Sequence, residues 1–77
     1  MKRYLVHVSL EESPEIASAL AAASISVVES GDADGPGSRG LTLAVNGHGS
    51  DEALGEVRQA LRRWGEIEAE VVHEEPL

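Results

Sequence analysis

At 77 residues the chain has room for a single hydrophobic core, since each independent core takes on the order of 50 to 150 residues, and a second catalytic lobe is excluded. It is 42% apolar and 26% charged with only two aromatics, Tyr4 and Trp64, and its lack of cysteine removes disulfides, thiolate metal sites and cysteine nucleophiles. Fourteen acidic residues against six basic ones give a net charge of −8, which opposes direct nucleic-acid binding and attachment to anionic membranes.

The chain opens Met1-Lys2-Arg3-Tyr4 without the apolar block of a signal peptide, and no stretch approaches the roughly 18 apolar residues of a membrane span. A cytoplasmic protein is the expectation. From Arg3 to Leu10, residues Tyr4, Val6, Val8 and Leu10 alternate with Leu5, His7 and Ser9, the period of a half-buried strand. Ser13-Pro14-Glu15 reads as a helix start, with Ser13 as cap and Pro14 at the first helical position, where no N–H is needed. This helix is expected to run to Ala23, burying Ile16, Leu20 and Ala23.

Ile25 to Glu29 is a short β-branched run and predicts a second strand, followed by a Gly-rich loop at 30–40. Leu41, Leu43 and Val45 alternate with Thr42, Ala44 and Asn46 as a third strand, and Gly47-His48-Gly49 turns the chain into a second helix. Ser50 is the expected cap there. Leu54, Val57, Leu61 and Trp64 form one stripe, Arg58, Arg62 and Arg63 suit the negative end of the helix dipole, and Gly65 ends it. Ile67, Ala69 and Val71 then alternate with Glu66, Glu68 and Glu70 as a last strand that stops before Pro76.

Strand, helix, strand, strand, helix, strand is an α+β order, the ferredoxin-like βαββαβ two-layer sandwich, read as one domain over 1–77. Its antiparallel sheet takes the order 4-1-3-2 with both helices on one face. The opposite face then carries Leu5, Val28, Thr42 and Ala44 at its centre, with His7 beside them and Glu66, Glu68 and Glu70 in a row along the edge strand. It is either a solvated face whose glutamates keep the edge from pairing, or a partner surface with an apolar centre and an acidic rim. RNA-binding domains of this topology stack bases on aromatics placed here, and this face has none.

Candidate chemistry is sparse. His7 and His73 lie on strands expected to be neighbours, but strict alternation puts His7 on the open face and His73 on the helix side, against a two-histidine metal site. Asp32, Asp34 and Gly37 match part of a calcium loop, and Pro36 and Leu43 break the pattern where ligands are required. Asn46-Gly47-His48-Gly49-Ser50 lacks the Gly-Lys-Ser/Thr ending of a phosphate loop. No serine sits in a Gly-x-Ser-x-Gly elbow. No catalytic, cofactor or metal residue is therefore assigned, and a non-enzymatic chain is expected.

Lys2-Arg3-Tyr4-Leu5-Val6-His7-Val8 resembles the first strand of dimeric α+β barrel proteins, a resemblance of seven residues. The topology is similar to that of ACT-type regulatory domains, which commonly carry an Asp-x-Pro-Gly turn where this chain has Glu11-Glu12-Ser13-Pro14-Glu15. The leading expectation is a protein–protein interaction module that self-associates as a homodimer through Leu5, His7, Val28, Thr42, Ala44, Glu66, Glu68 and Glu70. An ACT-like small-ligand sensor is the alternative, and an acidic inhibitor that occupies a basic or nucleic-acid-binding partner is a further one.

Overall fold

The computed structural model describes residues 1–30 and 40–76. The Gly-rich loop expected at 30–40 and the calcium-like Asp32, Asp34 and Gly37 therefore lie, apart from the loop's two end residues, outside the described residues. Four strands and two helices run in the order β1 (Lys2–Val8), α1 (Pro14–Ala22), β2 (Ser26–Ser30), β3 (Leu41–Gly47), α2 (Ser50–Ala60) and β4 (Ala69–Pro76), with a turn of 3-10 helix at Arg62–Trp64 between the last two. They build an α+β fold whose sheet has the order β2-β3-β1-β4, which read from the other edge is 4-1-3-2. Every neighbouring pair is antiparallel.

Both helices pack against one face of this sheet. Tyr4, Val6 and Val8 from β1 and Leu41, Leu43 and Val45 from β3 meet Ile16 and Leu20 of α1 and Ala53, Val57 and Leu61 of α2, and all are buried. The alternation along β1 and β3 is what puts these side chains on one surface. Val57 and Leu61 of the expected α2 stripe are fully buried, while Ala53 replaces Leu54 in the core and Leu54 and Trp64 pack only partly against it.

α1 begins as its sequence indicates, with the Ser13 hydroxyl accepting the Ile16 N–H at 3.2 Å and Pro14 at the first helical position. Its end has a signal the composition hides. Ile25 N–H donates to Leu20 O at 2.9 Å and Ser24 N–H to Ala21 O at 3.0 Å, the paired closure that requires a left-handed residue between helix and strand. That residue is Ser24, with φ of 60°.

Three expectations need correction. The cap of α2 is Gly49, and Ser50 is already helical; Glu52 reaches back to accept the His48 N–H at 3.3 Å, so the helix start is held by a carboxylate instead of a serine hydroxyl. The last strand starts at Ala69 and includes Pro76, because the chain is still leaving the 3-10 turn through Gly65, whose φ is 80°. Glu66 and Glu68 consequently precede β4. Finally, Val28 does not belong to the centre of the open face: β2 is at a sheet edge, as the expected order has it, and Val28 is skipped in its pairing with β3.

Two register breaks shape the sheet. Val27 pairs with Leu43 and Glu29 with Thr42, leaving Val28 as an extra residue in β2. Val71 pairs with Val6 and His73 with Leu5, leaving Val72 as an extra residue in β4. Val28 and Val72 are 48% and 52% exposed, as expected of residues that a bulge removes from the ladder.

Candidate surface on the uncovered sheet face

The face of the sheet opposite the helices is uncovered by any described residue. Its centre is the cross-strand pair Leu5 and Ala44, flanked by the pair His7 and Thr42, and all four side chains are half-buried by their neighbours in the sheet. These four expected surface residues are thus brought together. Val28 stands apart at the β2 edge, Glu70 lies directly across from His7 on β4, and Glu66 and Glu68 sit in the segment before that strand. The uninterrupted row of glutamates on which an acidic inhibitor would depend is therefore not present on β4.

The bulge at Val72 reverses the parity of the remaining β4 residues. His73 pairs with Leu5 and Glu75 with Arg3, so both belong to the open face, whereas unbroken alternation puts His73 on the helix side. His7 and His73 consequently share a face. Among the described residues, however, no group of three or more His, Asp or Glu converges as a metal site.

The far end of the sheet carries both signs of charge, with the Lys2 and Glu74 pair on the helix side, in the parity of Tyr4, and the Arg3 and Glu75 pair on the open face. Lys2 Nζ donates to Glu74 Oε1 at 3.0 Å, and this hydrogen bond, with the carboxylate's charge, holds the Lys2 ammonium above its ordinary pKa. Arg3 Nε lies 3.8 Å from Glu75 Oε1, an ion pair too long for a hydrogen bond, and the Nε atom itself is buried with no hydrogen-bond partner. The rest of the Arg3 side chain reaches water, being 43% exposed.

At the other end, His7 and Ser9 line a groove of about 410 Å³ with Arg58, Glu68 and Glu70. Alternation along neighbouring first and last strands already puts His7, Ser9 and Glu70 on one face, and the register pairs His7 with Glu70; the addition of Arg58 from α2 is what the spacing does not show. None of His7, Ser9 and Glu70 is hydrogen-bonded to another, so the relay that would activate a serine is not assembled. The His7 ring instead lies over Gly40, where a Cβ would strike both the ring and the Val8 carbonyl. Gly40 is buried and marks a close approach between β1 and the start of β3.

Compared with known proteins, the chain matches no family model, no curated sequence and no solved structure. No described helix is long and apolar enough to cross a membrane.

Proposed function

We propose that this chain is a non-enzymatic interaction module of ferredoxin-like topology that pairs with a second copy of itself through the uncovered sheet face. The strand order and the two strand-helix-strand units support the topology. The observation that carries the function is the paired Leu5 and Ala44 at the centre of a sheet face that no described helix covers. A second copy fits because the face is self-complementary: an axis through its centre lays Leu5 and Ala44 of one protomer over those of its partner, as a two-fold contact demands.

Charge does not select the direction of that axis. A two-fold across the strands stacks β4 on β4 and sets Glu70 over the partner's Glu75, while a two-fold along the strands lays β4 over β2 and sets Glu70 over Glu29, the last member of the cross-strand row Glu70, His7, Thr42 and Glu29. Central strands of 7 residues in a four-stranded sheet make a face about 19 by 23 Å, of which two copies together bury roughly 900 Å², the range of weak, transient contacts, so the pair is expected to dissociate on dilution.

Light scattering coupled to size-exclusion chromatography tests this over a hundredfold range of concentration. The expected result is a mass rising from one to two chains, and a monomer at every concentration for Ala44→Arg with the circular dichroism of the parent. A parent that stays monomeric throughout, or an Ala44→Arg variant that pairs as before, overturns the assignment.

A further inference from the structure

The described cations divide into two groups. Lys2 and Arg3 each face a carboxylate of β4, whereas Arg58, Arg62 and Arg63 have no described carboxylate within ion-pair distance. All three are exposed; Arg58 lines the groove beside His7 and Ser9, whereas Arg62 and Arg63 leave the 3-10 turn toward α1. In a chain of charge −8 this corner is the exception in sign.

It is also concave. A groove of about 570 Å³ runs between the first turns of α1 and the end of α2, walled by Glu15 and Ser18 on one side and Gln59, Arg62, Arg63 and Trp64 on the other. The Arg63 guanidinium lies 5.7 Å from the centre of the Trp64 ring, within cation–π range, which keeps the arginine extended over the aromatic wall. Trp64 packs partly on the core, so this wall is rigid. Tryptophan and arginine at a groove are the residue types that carry most binding energy at protein interfaces.

The helix dipole accounts for a positive charge at this end of α2 but not for a groove lined by two guanidinium groups and the chain's single tryptophan. We infer that the groove is a second docking site, one that takes a short acidic segment of a partner protein, its carboxylates on Arg62 and Arg63 and an apolar side chain against Trp64. Charge complementarity selects carboxylates. It also favours a short segment over a nucleic-acid strand, because a polyanion continuing beyond the groove meets a chain whose net charge is −8.

Trp64 is the sole tryptophan, so its emission reports on the groove directly. An oligoglutamate peptide, an oligolysine of equal length and an oligothymidylate are titrated at low salt, with amide NMR shifts of Ser18, Gln59 and Trp64 as a second readout. Oligoglutamate is expected to saturate in both readouts, about tenfold more weakly in Arg62→Glu and within twofold of the parent in Lys2→Glu, which reverses the same charge away from the groove. Ala44→Arg should titrate like the parent, so this site and the sheet-face pairing fail separately. A blank oligoglutamate titration in both readouts, tighter binding of oligothymidylate, equal loss in Lys2→Glu and Arg62→Glu, or self-association abolished by Arg62→Glu would each overturn the inference.

Discussion

Gly40 and Ser24 show how single residues set local strain in opposite senses. A side chain at Gly40 collides with a backbone carbonyl, that of Val8, as well as with the His7 ring. Removing the ring therefore does not make room. Gly40→Ala is expected to cost about 1–3 kcal/mol by urea denaturation, the usual penalty for overpacking, and His7→Ala in the same chain should not restore it. At Ser24 the strain already exists, because a residue with a Cβ occupies the left-handed region at φ 60°, which costs roughly 1–2 kcal/mol outside glycine. Ser24→Gly should accordingly raise the unfolding free energy by about 1 kcal/mol, less the added freedom of glycine in the unfolded chain; an unchanged urea midpoint would refute this.

The two helix starts separate what sequence discloses from what it conceals. Ser13 caps α1 through its hydroxyl, so Ser13→Ala should lower stability by about 1 kcal/mol. Ser50 lies inside α2 and makes no cap, and Ser50→Ala should leave the thermal midpoint unchanged or slightly raised, alanine being the better helix former. The Ser-Pro-Glu start of α1 is legible because proline fixes the first helical position. Gly49-Ser50 is ambiguous because both residue types cap helices, and only the geometry at Glu52 decides between them. The same contrast holds for strands. Strict alternation identifies the buried sides of β1 and β3 correctly. In β4 the alternation begins too early, since Ile67 and Glu68 keep the period while the backbone is still turning from Gly65. The adjacent valines at 71 and 72 give no sign of the bulge that sends His73 to the other face. The candidate surface was thus legible at Leu5, His7, Thr42 and Ala44, which depend only on period, and illegible at Val28, Glu66, Glu68 and His73, which depend on edges and register breaks.

For the molecule as a whole, one core, with twelve buried hydrophobic residues among those described, holds a chain whose like charges repel. The two ion pairs among the described residues, both about half exposed, contribute little against that repulsion. Added salt should therefore raise the thermal midpoint of the monomer by screening the net charge, measured by circular dichroism at a concentration below that of pairing. A midpoint that falls with salt would mean that local pairs outweigh the overall field. The register breaks matter at this scale too, since β2 and β4 are the sheet's two edges and each carries one. A kinked border is a poor template for adding another strand, so growth along the sheet is blocked on both sides. The pairing proposed through one face would close at two chains, and a register break at each border disfavours the strand-by-strand addition that builds a fibre.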